Sequence, residues 1–121
     1  MPNHFHFFLR VNDKLNFEKR IKNFFISYSK SINKSYNRVG SLFQGRYKAK
    51  RIVDGSYFTA LIIYIHYNPI KAGLAAQPED YKYSSYNTFL LKESTLITNV
   101  EVLKWFKDLD GFIEDHKLPE N

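Results

Sequence analysis

The most apolar part of this chain lies at residues 57–67, where nearly every position carries an aliphatic or aromatic side chain. Such a segment predicts a buried helix. An Asp-Gly-Ser turn precedes it, and Asp54 is a typical helix N-cap residue. Asn68 and Pro69 follow, and since the residue before a proline is pushed away from helical geometry, we expect the helix to be disturbed there. Gly73 predicts a further break.

Two other segments carry the alternation of a strand. At residues 4–11, alternation places His4 and His6 on one face and Phe5 and Phe7 on the other, and residues 46–53 show a similar pattern. Between them, an amphipathic helix is predicted at residues 14–36 with Asp13 as its N-cap. A short helix is expected at residues 100–106. The amphipathic pattern rests on Leu15, Phe17, Ile21, Phe24, Phe25, Tyr28 and Ile32.

Charge is distributed unevenly along the chain. The net charge is +6, yet residues 1–51 hold twelve Lys and Arg against two acidic residues, whereas residues 52–121 hold six against ten. The first part is therefore where a polyanion would bind, although a solvated lysine-rich surface is the simpler alternative. No cysteine is present, which excludes disulfides and thiolate metal sites.

Length and hydropathy predict a single domain of an ordinary globular class. With 121 residues the chain corresponds to one domain, which we expect at residues 1–113, followed by a frayed tail at residues 114–121. No apolar run is long enough for a transmembrane helix, and the N-terminus lacks the pattern of a signal peptide. A cytoplasmic location without membrane association is the default expectation.

The candidate chemistry lies in two places. Two histidines separated by one residue on a strand can share one divalent cation, but the pair taken alone is better explained as two surface histidines. In a helix, Tyr64 and Asn68 lie one turn apart and share a face, so a hydroxyl and an amide oxygen would project together. The alternatives are a core tyrosine with a bonded hydroxyl and a C-terminal capping asparagine.

Four motifs in a fixed order distinguish among these interpretations. They are MPNHFHFFL at residues 1–9, GSLFQGRY at 40–47, YIHYNPIKAGL at 64–74 and YKYSSY at 81–86. Together they resemble the IS200-like tyrosine transposases, which are HUH nucleases, and specifically the branch associated with repetitive extragenic palindromes (REP). The resemblance extends from residue 2 to about residue 90 and continues more weakly to about residue 112.

The resemblance implies an α+β fold, in which helices pack on a ferredoxin-like antiparallel sheet. It also implies that Tyr64 is the nucleophile and that His4, His6 and Asn68 bind Mg²⁺ or Mn²⁺. The substrate would be single-stranded DNA with a nearby hairpin. Cleavage would give a 5′-phosphotyrosine, and later attack by a 3′-hydroxyl on this intermediate would rejoin the strand. His66 is expected to serve in packing or at the surface and not as a base.

Family members carry a strand, a helix and a strand before the histidine motif, so we expect an N-terminally truncated version of the fold. A misplaced start, a decayed element, or a homodimer whose second copy supplies the missing strands would each explain this. The alternative function is a catalytically inactive transposase remnant that binds hairpin or single-stranded DNA. A small metal-binding or interaction domain unrelated to DNA is a third.

Contacts with DNA are expected mainly from basic side chains, with aromatic and amide side chains stacking on or recognising unpaired bases. Phe43 is equally well explained as a core residue. The expected DNA-binding residues are Lys14, Lys22, Arg46, Lys48, Lys50, Arg51, Lys71, Phe43, Gln44 and Tyr47.

Overall fold

The computed structural model describes residues 3–91 and 97–117. Five α-helices occur in this part of the chain, together with 3₁₀ turns at Gly55–Tyr57 and Pro78–Asp80. The helices are α1 (Lys14–Ser35), α2 (Phe58–Lys71), α3 (Tyr86–Leu90), α4 (Asn99–Trp105) and α5 (Leu109–Asp115). No β-strand is present within these described ranges. The predicted α+β fold with a ferredoxin-like antiparallel sheet is therefore wrong for the described chain.

The two predicted strands are irregular segments instead. The rings of His4 and His6 lie 5.5 Å apart and those of Phe5 and Phe7 lie 4.9 Å apart. Side chains two positions apart are therefore close neighbours, as the alternation suggested. A strand also requires backbone hydrogen bonds to a neighbouring strand, and neither residues 4–11 nor residues 46–53 are assigned to a ladder. Alternation was thus insufficient evidence for a sheet.

Helix α1 confirms the amphipathic prediction closely. The Asp13 carboxylate accepts a hydrogen bond from the Asn16 backbone N–H at 3.2 Å, which satisfies one of the unpaired donors of the first turn. Phe17, Ile21 and Phe25, each one turn after the last, are half-buried. No residue of α1 is fully buried, so the helix rests on the surface of its unit.

Helix α2 contains the apolar segment, and its course corrects one prediction. Asp54 accepts from the Ser56 N–H at 2.9 Å before the 3₁₀ turn, as expected of a cap. The helix then continues through Pro69 to Lys71 and does not break at the proline. Gly73 follows the C-cap residue Ala72, and its φ of +70° suits a residue without a side chain. The Leu74 N–H donates to Pro69 O and the Gly73 N–H to Ile70 O, which is the Schellman pattern.

The chain separates into two compact units. The first combines Met1–Phe8 with Ile52–Asn121, and the second comprises Leu9–Arg51. The first unit contains the buried core, in which apolar side chains of α2, α3 and α5 meet around the fully buried Phe112. In the second unit no side chain is fully buried, and Phe25 packs against Phe43 and Tyr47 at ring distances of 5.3 and 5.9 Å.

The C-terminal helices complete the first unit. The helix predicted at residues 100–106 is confirmed as α4, whereas α5 was not predicted. Where a frayed tail was expected from residue 114, α5 extends to Asp115 and His116 is buried. The rest of that expected tail, residues 118–121, lies outside the described residues. None of the helices described is both long and apolar enough to cross a membrane.

Candidate active site

An aromatic contact anchors the N-terminal histidine segment in the first unit. The ring of Phe8 lies 5.4 Å from that of Phe58, at the start of α2, and 6.1 Å from Trp105 of α4. Phe58 and Trp105 are themselves 4.7 Å apart. Edge-on and tilted aromatic pairs at these distances are favourable beyond their buried area. Phe8 therefore holds the preceding histidines close to α2.

The two histidines are adjacent and differ in their surroundings. Their rings are 5.5 Å apart and nearly perpendicular. His4 Nδ1 is 2.9 Å from Asn3 Oδ1, and because an amide oxygen only accepts, Nδ1 is the donor in this hydrogen bond and Nε2 is the nitrogen left for another partner. Partial burial, and secondarily the charge of His4, lower the pKa of His6. The His6 imidazole is therefore neutral at neutral pH, which is the form that binds metals.

Tyr64, a residue of α2, lies beside His6. The two rings are 5.8 Å apart in an edge-on arrangement, and 46% of Tyr64 is exposed. A buried tyrosine could not reach a DNA phosphate, so this exposure matters. The neighbouring Tyr67 is 8% exposed, and its hydroxyl donates to the His116 backbone carbonyl. The phenol of Tyr64 is therefore accessible, whereas that of Tyr67 has a structural role.

Asn68 and Lys71 continue the same face of α2. Asn68 Nδ2 donates to the Tyr64 carbonyl oxygen at 3.0 Å, so the amide oxygen is the atom that Asn68 can offer to a cation. Lys71 Nζ lies 5.6 Å from the centre of the Tyr64 ring. Within the first unit, Tyr64 therefore contacts His6, Asn68 and Lys71, and His6 in turn contacts His4.

The donor chemistry of this cluster fits a divalent cation in part. Two neutral imidazoles and one amide oxygen are acceptable ligands for Mn²⁺, and a site of this kind leaves positions for phosphate oxygens and water. In the portion of the chain with described coordinates, no group of three His, Cys, Asp or Glu side chains is placed to hold a metal. Among these described residues, a third protein ligand beside His4 and His6 would have to be of another residue type, as Asn68 is.

The other residues expected to bind DNA belong to the second unit. Lys14 and Lys22 are exposed on α1, and four basic residues are exposed at positions 46–51. Gln44 is exposed, and Tyr47 is 48% exposed although its ring stacks near Phe25. Phe43 is half-buried against Phe25 and Tyr28, which agrees better with its role as a packing residue. The basic residues at positions 46–51 are Arg46, Lys48, Lys50 and Arg51.

A buried histidine network was not predicted from the sequence. His116 Nδ1 donates to the Phe112 carbonyl at 2.7 Å, so His116 Nε2 accepts from His66 Nδ1 at 2.9 Å. His66 Nε2 then accepts from the Ser85 hydroxyl at 2.8 Å. Burial, with a smaller effect of His116, lowers the pKa of His66 to about 3. His66 is a packing residue as expected, but no periodicity could have paired it with a residue fifty positions later.

Comparison with known proteins identifies a family match. The family model described as "Transposase IS200 like" matches residues 1–68, which is more than half of the chain. The matched region contains both histidines of the cluster, Tyr64 and Asn68. No curated protein and no solved structure matches the chain.

Proposed function

Because the chain belongs to the IS200-like transposase family, whose activity is of the DNA transposase type, we propose that it cleaves and rejoins single-stranded DNA through Tyr64. The observation that carries the proposal is the edge-on contact of the half-exposed Tyr64 ring with His6, which in turn neighbours His4. A surface tyrosine without such neighbours would have no means of becoming an effective nucleophile.

The reaction is a transesterification at phosphorus. The Tyr64 hydroxyl oxygen forms a bond to the phosphorus of the scissile phosphodiester, and the bond from phosphorus to the 3′-oxygen breaks. The phenol loses its proton to solvent, and the departing 3′-oxygen gains one, so the products are a 5′-phosphotyrosine and a 3′-hydroxyl. Attack by a 3′-hydroxyl on the phosphotyrosine reverses the step. The covalent bond conserves the energy of the phosphodiester for rejoining.

His4, His6 and Asn68 are the residues that would hold a divalent cation, Mg²⁺ or Mn²⁺. Such a cation, when bound, neutralises charge on the phosphate oxygens and assists loss of the phenolic proton. The contribution of the chain is to hold two adjacent imidazoles close to Tyr64, and to lower the pKa of His6 by partial burial. The Asn3 amide oxygen helps by holding the proton of His4 on Nδ1, which leaves Nε2 to bind metal.

The substrate is proposed to be single-stranded DNA carrying a hairpin. The four ordered motifs support placing the chain in the REP-associated branch, where such substrates are expected. The excess of basic residues in the second unit supports binding of the sugar-phosphate backbone. That binding is expected to weaken with salt, since each neutralised phosphate releases counterions.

The test is formation of a covalent adduct between the protein and a labelled single-stranded oligonucleotide. The wild-type protein with Mn²⁺ should give an adduct that survives denaturing electrophoresis, and EDTA should abolish it. Tyr64→Phe should give none. The matched control is Tyr83→Phe, because Tyr83 is also exposed, at 76%, and also has a lysine near its ring, Lys82 at 4.8 Å. The control should retain the adduct.

Two outcomes would contradict parts of this proposal. An adduct that persists in Tyr64→Phe would exclude Tyr64 as the nucleophile. If no hairpin substrate gives an adduct under Mn²⁺ while binding remains tight and salt-sensitive, the chain is the catalytically inactive DNA-binding remnant described above.

A further inference from the structure

Lys71 has a different position from the other basic residues expected to bind DNA. It lies in the last turn of α2, in the same unit as Tyr64, whereas those other residues belong to Leu9–Arg51. We propose, resting on the proposed function, that Lys71 is a catalytic residue that contacts a non-bridging oxygen of the scissile phosphate. The remaining basic residues would bind phosphates that do not react.

Helix geometry places Lys71 beside the nucleophile. Positions 64, 68 and 71 are separated by four and three residues, which puts their side chains on one face of α2. The contact is present, since Lys71 Nζ lies 5.6 Å from the centre of the Tyr64 ring. Because the helix continues through Pro69 without a break, this spacing is kept up to Lys71.

Lys71 is also available to bind an anion. Its side chain is exposed, and within residues 3–91 and 97–117 it takes part in no ion pair. The ammonium lies near the Tyr64 ring on a flexible stem, so side-chain rotation can change which part of the tyrosine it approaches. A phosphate attacked by the Tyr64 hydroxyl would therefore lie within its reach.

The positive charge of Lys71 would stabilise the transition state of the cleavage step. As the bond from Tyr64 to phosphorus forms and the bond to the 3′-oxygen breaks, negative charge is carried by the non-bridging phosphate oxygens. A cation that contacts those oxygens as the charge develops lowers the barrier more than it strengthens binding of the ground state. Lys71 exchanges no proton in this role, so the bond changes and proton transfers of the proposed reaction are unaltered.

The experiment compares Lys71→Gln, Lys71→Arg and wild type, with Lys104→Gln as the matched control. Lys104 is also an exposed lysine in the last turn of a helix of the same unit. The probe is a fluorescent single-stranded oligonucleotide with one hairpin. Two quantities are measured: the single-turnover rate of adduct formation at saturating DNA with Mn²⁺, and the dependence of log Kd on log salt concentration.

Lys71→Gln should lower the saturated rate by about 10², as expected for loss of one charge that stabilises the transition state, while Kd rises only a fewfold. Its salt slope should become shallower by about 0.7, the value for one phosphate contact on a single strand. Lys71→Arg should retain the wild-type slope and most of the rate. Lys104→Gln should match wild type in both quantities.

The proposal is overturned if the saturated rate of Lys71→Gln is within twofold of wild type, or if Lys104→Gln loses as much rate. It is also overturned if the rate falls without a change in salt slope, because Lys71 would then act on Tyr64 and not on phosphate. If wild type forms no adduct, the proposed function fails. The salt slope then tests by itself whether Lys71 contacts a phosphate. An unchanged slope then refutes the phosphate contact, and a shallower one supports it.

Discussion

Lowering the pH from 7.5 to 5 is expected to destabilise the first unit through its buried histidine network, formed by Ser85, His66, His116 and the Phe112 carbonyl. In each hydrogen bond of this network, the imidazole is neutral and carries its proton on Nδ1. Protonation of His66 would place a second donor, Nε2–H, against the Ser85 hydroxyl that now donates to it, and would put a positive charge in an apolar pocket. The aromatic rings of Tyr86, Phe89 and Phe112 also surround it and offer no counterion.

The magnitude follows from the difference in proton binding between the folded and unfolded states. The pKa of His66 is lowered from 6.5 to about 3, so the unfolded chain binds more protons throughout that interval. The stabilising contribution is complete above pH 6.5 and is lost as the pH falls toward 3. At pH 5 the loss is about 2 kcal/mol, from 1.36 kcal/mol per pH unit. Burial also lowers the pKa of His116, which adds to the loss in the same direction.

The assay is urea unfolding followed by the fluorescence of Trp105, the only tryptophan, which packs on Phe58 in the first unit. The free energy of unfolding of the wild type should fall by at least about 2 kcal/mol between pH 7.5 and 5. His66→Gln should be less stable at pH 7.5 but lose about 2 kcal/mol less on acidification. His4→Gln, which alters an exposed histidine, should follow the wild type. An equal acid loss in wild type and His66→Gln would refute the reasoning.

Two further predictions concern packing. Gly111→Ala should cost roughly 2 kcal/mol in urea unfolding, because a Cβ would overlap the Phe106 carbonyl oxygen. Gly55→Ala is its control and should change stability little, since the nearest atom lies 3.9 Å from the added carbon; equal losses would contradict the overlap. Tyr67→Phe should cost about 1–3 kcal/mol by leaving the His116 carbonyl without its buried donor, and a neutral result in the same assay would argue against that bond.

Local signals in the sequence predicted the helices well and the sheet wrongly. The Asp13 and Asp54 caps, the apolar spacing of α1 and the glycine after α2 all act over a few residues, and each was found where expected. Alternation at residues 4–11 and 46–53 is also local, but pairing into a sheet is not. It depends on a second strand at the right place, which no short pattern guarantees. The passage of α2 through Pro69 was likewise outside the reach of a local rule, since tertiary packing can hold a helix at a residue of poor propensity.

The candidate site illustrates the same division. The motifs identified Tyr64 and the histidines as a set, but the sequence left open whether Tyr64 was a core residue. Tyr64 is half-exposed and in contact with His6, and Tyr67 has the structural role instead. The contact depends on Phe8, which anchors the N-terminal segment on Phe58.

By itself, the sequence determined the family of this protein, the positions of its helix caps and the identity of the residues that could react. These follow from residue order and from interactions spanning one or two helical turns. Only the tertiary structure decided that Tyr64 contacts His6 and that His66 is hydrogen-bonded to His116, fifty residues later. It also decided that the described residues form helices without a sheet. Those outcomes depend on which distant side chains exclude water from one another, and no local pattern specifies that.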